Sequence, residues 1–301
     1  MWGMGMRIGI VGGGAIGLLV YGYLSQIFPT TIYVRRPEQR DKLLKEGLTV
    51  ANGPGFIRDV HVALSESAWD EDLIILAVKQ PDLPTLLAAH PKAAVSDQTL
   101  LFLQNGAGHL DLLEDLHYEH LFIGLVEHGA EKTSDTTVIH KGVGTIKIAL
   151  IKGDRQRVAP LLANEAFPMT FVSDWRKALD EKLLVNAIIN PLTALYGIRN
   201  GELLSNVHFK RAMRTVFDEI MPFLTLPNPS KAWEHVVGVC QKTSENHSSM
   251  LQDLEAGRMT EVGAILGPIL KRAEARSVHL PVVRFLYESI KAKEHMRSAQ
   301  C

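Results

Sequence analysis

Arg7-Ile8-Gly9-Ile10-Val11-Gly12-Gly13-Gly14-Ala15-Ile16-Gly17 is the stretch that decides the fold. Arg7 to Val11 is a short apolar strand pattern. Gly12 to Gly17 then satisfies G-x-G-x-x-G, and Leu18 to Phe28 continues as a helix. A glycine loop that leaves a strand and opens a helix is the context in which this motif binds a dinucleotide. Gly12 allows the tight turn, Gly14 lets the backbone approach a pyrophosphate, and Gly17 lets helix and strand pack closely. Gly13, Ala15 and Ile16 complete the loop, and the helix N-terminus offers N–H groups to the phosphate charge.

Further strands and helices alternate beyond the loop. Thr30 to Val34 is β-branched and aromatic, Leu73 to Val78 and Thr99 to Leu103 are continuous apolar runs, and Leu83 to His90 reads as a helix. Leu121 to Val126 and Thr145 to Ile151 read as strands at the far side of the same sheet. This is the pattern of an α/β fold with a doubly wound, Rossmann-type parallel sheet. The second strand ends at Val34-Arg35-Arg36, where a carboxylate would select NAD. Arginine there pairs with a 2′-phosphate instead, so NADPH/NADP+ is the expected cofactor, and Arg35, first after the strand, is favoured over Arg36. Lys79 and Asn105 fall at the carboxyl ends of their strands, where ligands bind in open sheets. A surface lysine and a turn asparagine at Asn105-Gly106 explain them equally well.

From about Asp174 the strand signals nearly vanish. Helical patterns run from Asp174 to Leu195, His208 to Leu224, Lys231 to Asp253, Thr260 to Arg276 and Pro281 to Arg297. The chain therefore divides into a dinucleotide-binding domain (residues 1–172) and an all-α domain (residues 173–301). A length of 301 residues suits two domains. With 32 basic against 33 acidic residues there is no basic excess for a nucleic-acid partner. The two cysteines, Cys240 and Cys301, exclude a disulfide framework. No apolar run has the length of a membrane span, and a cytoplasmic protein is expected. No metal site is expected. His117 and His120, three residues apart, read as neighbours on a surface helix. The apolar helix faces of the second half allow a homodimer.

Lys182, Asn186 and Asn190 are spaced i, i+4, i+8 and share one helix face among apolar neighbours. The spacing alone leaves alternatives open: a polar site, the exposed side of an amphipathic helix, or asparagines at a helix end before Pro191. Ser249 and Glu261, twelve residues apart, would diverge on one straight helix. Gly257 breaks it, and Thr260 caps the next. By position Glu261 is equally a carboxylate placed in a helix's first turn.

Glu181 to Leu203, EKLLVNAIINPLTALYGIRNGEL, resembles the signature of the ketopantoate reductase (2-dehydropantoate 2-reductase) family. The segment from Glu245 through Ser248-Ser249-Met250 to Thr260-Glu261 resembles that family's second conserved block. The glycine loop, Arg35, Lys79 and Gln104-Asn105-Gly106 fall where the family has them, so the resemblance spans nearly the whole chain. It implies a Rossmann-type domain joined to a helical one, as in 6-phosphogluconate dehydrogenase, with the active site in the cleft between them. The implied activity is reduction of 2-dehydropantoate to (R)-pantoate with NADPH. It further implies Lys182 as the catalytic lysine, Asn186, Asn190, Ser249 and Glu261 as substrate-binding residues, and Asn105 as a contact of both cofactor and substrate. At Val126-Glu127-His128-Gly129-Ala130 the chain departs from members that carry threonines before the Gly-Ala pair. Two other functions fit the residues: a related dehydrogenase of another 2-oxo or 3-hydroxy acid, and a non-catalytic NADPH-sensing regulator.

Overall fold

The structure is a computed structural model that describes residues 5–90, 96–113 and 115–298. Backbone contacts divide the chain into two units. The first comprises Met1–Gln104 with Asp111–Trp175, and the second Asn105–Leu110 with Arg176–Cys301.

Among the described residues the first unit contains twelve strands in chain order: β1 (Ile8–Val11), β2 (Thr30–Val34), β3 (Leu48–Ala51), β4 (Gly55–Ile57), β5 (Val62–Leu64), β6 (Leu73–Leu76), β7 (Ser96–Phe102), β8 (Tyr118–Val126), β9 (Gly129–Ser134), β10 (Thr137–Gly142), β11 (Ile146–Lys152) and β12 (Met169–Val172). Eight form one sheet in the order β12-β11-β8-β7-β6-β1-β2-β5. Six of these, β8 to β5, are mutually parallel, with Ile8 of β1 beside both Thr30 of β2 and Leu73 of β6. β11 and β12 run the other way, since β11 is antiparallel to β8 and parallel to β12. All four residues of both β1 and β6 are buried. This is why these strands read as unbroken apolar runs rather than alternating ones. Ile8, Ile10, Leu18, Tyr21, Phe122 and Phe167 are at most 1% exposed in the core around them. Each large side chain so buried contributes about 1.5–3 kcal/mol.

A second sheet, β4-β3-β10-β9, was not expected from sequence. β4 is only three residues long and β9 has no buried residue, so neither carries a strong alternation. His120 is a second departure: it lies on β8, not on a surface helix. Its Nδ1 accepts the Asp154 N–H at 3.1 Å, which leaves Nε2 to donate to Asp97 at 3.2 Å. Asp97, Glu119 and His120 bring ligand atoms within 4.8 Å of one another, but Asp97 is already bound by Arg157.

The second unit is built on the helix Trp175–Tyr196, followed by Val207–Ile220, Pro229–Lys242, Ser249–Glu255, Val262–Glu274 and Pro281–Ser298. The first of these passes straight through Pro191, so Asn190 is a mid-helix residue rather than a cap. Proline there removes one bond to the carbonyl four residues back. The fully buried Leu184, Ala187, Ile188 and Ala194 hold the helix together across that gap. The single helix expected over Lys231 to Asp253 is two. Thr243 Oγ1 donates to the Val239 carbonyl at 2.7 Å, and the Gly201 and Asn200 N–H groups donate to the Ser244 and Asn246 carbonyls at 3.0 Å. Those carbonyls are thereby turned away from helical partners, and Ser248 caps the next helix by accepting the Leu251 N–H at 3.2 Å.

Among the described residues no helix is long and apolar enough to cross a membrane. Cys240 is buried, which pushes its thiol pKa up to about 12, and Cys301 lies outside the described residues.

Candidate functional site

The glycine loop joins β1 to the helix Ala15–Leu24. Its glycines serve different physical ends. Gly12 has φ +127°, and a Cβ there would lie 2.8 Å from the Ala77 carbonyl carbon. A Cβ on Gly17 would lie 1.8 Å from the Gly12 carbonyl oxygen, so helix and loop touch backbone to backbone. Gly14, by contrast, is exposed, and among the described residues no atom outside its two chain neighbours lies within 4 Å of where its Cβ would be. The helix starts there without a side-chain cap or an acidic residue in its first turn. Ala15 and Ile16 thus open a helix whose positive dipole end is uncompensated by any side chain of that turn. A close-approach glycine at an unblocked helix N-terminus fits a dinucleotide pyrophosphate.

Two cations follow β2, and their partners separate them. Arg36 forms an ion pair with Asp135, a residue that also binds Lys132 at 3.1 Å and Lys42 at 3.4 Å. Arg35 is 79% exposed and pairs with Asp82 at 3.5 Å. Lys79 is half-buried and precedes the short 3-10 turn Gln80–Asp82 after β6.

The remaining candidates belong to the second unit. The segment Asn105–Leu110, which follows β7, is clamped to the start of the helix Val262–Glu274. The Ala107 N–H donates to the Ala264 carbonyl at 3.2 Å. Gly106 has φ +80°, and a Cβ there would lie 2.2 Å from the same oxygen. The clamp brings Asn105 Nδ2 within 2.9 Å of Glu261 Oε2, across 156 residues of sequence. Glu261 stands at the N-cap position but makes no cap bond with its side chain. The Val262 N–H is taken by Thr260 Oγ1 at 3.2 Å, and Thr260 is itself held by Glu294 at 2.7 Å. The helix thus starts without using the Glu261 carboxylate. The preceding helix ends at Glu255, and Gly257, with φ +66°, turns the chain between the two.

Lys182 and Asn186 are half-buried and Asn190 is buried on the helix Trp175–Tyr196. Over eight residues their direction drifts by about 80°, so they share a face. Thr193, one turn on, shares a 2.7 Å hydrogen bond with the hydroxyl of Ser248. That bond anchors the start of the helix Ser249–Glu255, where Ser249 is exposed. His109 is the residue that sequence reading missed. It is 1% exposed, and burial together with the positive charge of Lys182 lowers its pKa to about 4, so the imidazole is neutral. Its only signal in the sequence was its place four residues after Asn105.

His128 is a core residue of the first unit. It is 6% exposed and stacks on Phe167 at 4.2 Å. Its Nδ1 accepts from the Gly144 N–H at 3.2 Å and lies 3.1 Å from His140 Nε2, while the Tyr23 hydroxyl is 2.9 Å from His140 Nδ1. Glu127 forms a 2.6 Å ion pair with Lys147.

Comparison with known proteins identifies the family. The family description "Ketopantoate reductase PanE/ApbA" matches residues 8–153, and its C-terminal counterpart matches residues 174–294. The chain belongs to the ketopantoate reductase family. A 2-dehydropantoate 2-reductase of Bacillus subtilis (strain 168) is 41% identical over 293 residues, covering 96% of this chain and 98% of the relative. A ketopantoate reductase relative from Listeria monocytogenes, named 2-dehydropantoate 2-reductase, is 36% identical, covering 96% and 97%. The crystal structure of a probable 2-dehydropantoate 2-reductase from Bacillus subtilis superposes with a TM-score of 0.86 at 40% identity, covering 96% of this chain and all of that one. The expected fold class, a Rossmann-type sheet followed by a helical domain, is that of these relatives.

Proposed function

We propose that this protein reduces 2-dehydropantoate to (R)-pantoate with NADPH, in the cytoplasm, as a step of pantothenate and coenzyme A biosynthesis. The observation that carries the reading is the gathering within one unit of Lys182, the neutral His109 and the Asn105–Glu261 pair. A cation, an amide and a carboxylate complement a 2-oxo acid that bears a distal hydroxyl. When bound, NADPH supplies the hydride. Gly12 to Gly17 hold its pyrophosphate, Arg35 its 2′-phosphate, and Lys79 and Asn105 its remaining polar groups.

Lys182 is the general acid. Its ammonium group donates to the C2 carbonyl oxygen and gives up a proton as that oxygen becomes an alkoxide. A neutral His109 serves this role better than an imidazolium would, because a second positive charge nearby would favour early loss of the lysine proton. Ser249 and Asn190 bind substrate oxygens, Ser249 at the carboxylate. Asn186 orients Lys182 or touches the substrate. Glu261 accepts from the distal hydroxyl. A carboxylate has about four acceptor positions, so the bond from Asn105 leaves capacity for this one.

The direct test is NADPH oxidation, followed by absorbance, with 2-dehydropantoate beside a panel of other 2-oxo acids and with NADH beside NADPH. Turnover fastest with NADPH and 2-dehydropantoate is expected. Faster turnover of another 2-oxo acid would overturn the substrate, and tight NADPH binding without any turnover would favour a regulator.

A further inference from the structure

Three consecutive glycines make the loop adaptable, and adaptability is a liability in an anion site. A peptide between two glycines turns over with little steric penalty. In a trans peptide the C=O and the following N–H point in opposite directions. Turning one over would therefore exchange a donor for an acceptor beside the phosphates.

The Gly13–Gly14 peptide is held against this. The Gly13 carbonyl accepts from Gln39 Nε2 at 2.9 Å and from Lys132 Nζ at 3.1 Å. Both donors come from outside the loop: Gln39 from the helix Pro37–Glu46, and Lys132 from β9 of the second sheet. Gln39 is 4% exposed, and its amide also donates to the Asp135 carbonyl at 3.1 Å. Lys132 is fixed by the Asp135 carboxylate at 3.1 Å. Burial alone would raise the pKa of Asp135, but bonds from Lys132 and Arg36 outweigh it and bring it to about 2. The anchor therefore stays ionised. The packing also explains why the second position of the motif is glycine here: a Cβ on Gly13 would lie 2.5 Å from Gln39 Oε1.

We infer that Gln39 and Lys132 are positioning residues for the cofactor's pyrophosphate: by holding the Gly13 carbonyl they keep the Gly14 N–H turned away from themselves, in the orientation in which the loop binds an anion. The inference rests on the reading of this loop as a dinucleotide site. It differs from the role of Arg35 in a measurable way. NADPH and NADH share the pyrophosphate and differ in the 2′-phosphate, so a loop-positioning residue affects both equally.

The test is fluorescence titration of NADPH and NADH with wild type, Gln39→Met, Lys132→Met and Lys132→Arg, with melting temperatures alongside. Each methionine variant should raise both dissociation constants by the same factor, about three- to tenfold for a lost hydrogen bond. In turnover the change should fall on KM for NADPH rather than on kcat. Lys132→Arg, which keeps a donor, should restore both constants to near wild type. Lowered melting temperatures with unmoved dissociation constants would overturn the inference, as would a loss confined to NADPH, and either would leave the cofactor reading standing. A wild-type protein that binds neither dinucleotide would overturn both. If Gln39→Met does not fold, Lys132→Met still decides the question, because Lys132 is a quarter exposed and outside the core.

Discussion

Removing Arg35 tests the cofactor assignment through the charge that distinguishes NADPH from NADH. A charge-assisted bond from a guanidinium is worth about 1.5–3 kcal/mol. Two features of the structure reduce that figure. Arg35 is 79% exposed, so salt screens it, and it must first give up its 3.5 Å pair with Asp82, an exposed interaction worth about 0.2–1 kcal/mol. The net is about 0.5–2.8 kcal/mol, or roughly a 2- to 110-fold weaker NADPH complex for Arg35→Ala. NADH has no group for Arg35 to bind and should keep its affinity. The same reasoning gives Asp82→Asn the opposite sign: with the competing carboxylate gone, NADPH should bind about two- to fivefold more tightly. Fluorescence titration of both dinucleotides at low and moderate ionic strength reads all of this, and the Arg35 effect should shrink as salt rises. Equal losses for NADPH and NADH, or no response to Asp82→Asn, would refute the reasoning and move the 2′-phosphate to another residue.

Other outcomes follow from the second unit and from the buried histidines. Lys182→Ala should lower turnover at saturating NADPH by about 10²–10⁴-fold with the NADPH dissociation constant unchanged, and wild-type turnover would remove Lys182 from the chemistry. Glu261→Ala should raise KM for 2-dehydropantoate at least tenfold while sparing 2-oxo acids that lack the distal hydroxyl, so a uniform loss over a substrate panel would contradict its assignment. Burial and the neighbouring His140 lower the pKa of His128 to about 4, against about 6.5 unfolded. The unfolded chain therefore takes up the proton first. The stabilisation is fully present above about pH 6.5 and is lost as pH falls toward 4, by up to about 3 kcal/mol. Urea denaturation of wild type and His128→Asn at pH 7 and pH 4.5 checks this, with His109 titrating in both proteins. A variant that loses as much stability as wild type on acidification would show that His128 is not the group responsible.

The parts of the molecule that were legible in the sequence are those governed by neighbours along the chain. The loop from Gly12 to Gly17 declares itself because a strand precedes it and a helix follows within a few residues. β1 and β6 read as buried strands because apolar residues run without interruption when both faces are covered. Where local cues competed, they misled. Pro191 argued for a helix end, yet buried neighbours on both sides carry the helix past it. The run Lys231 to Asp253 looked continuous, but its middle carbonyls bond to the turn at Asn200 and Gly201, which no reading of that run alone contains.

By itself, the sequence determined the order of the two halves, the glycine loop between its strand and helix, and the helix face that carries Lys182, Asn186 and Asn190. The tertiary structure decided which residues meet. It placed Asn105 on Glu261 across 156 residues, brought His109 into the field of Lys182, and set Gln39 and Lys132 on the Gly13 carbonyl. It also took Glu261 out of the helix-capping role, because Thr260 bonds the first N–H instead. Local structure follows from backbone preference and the period of burial, both of which are written along the chain. Contacts between side chains distant in sequence depend on how separate elements pack, and so do the charges and protonation states that those contacts set.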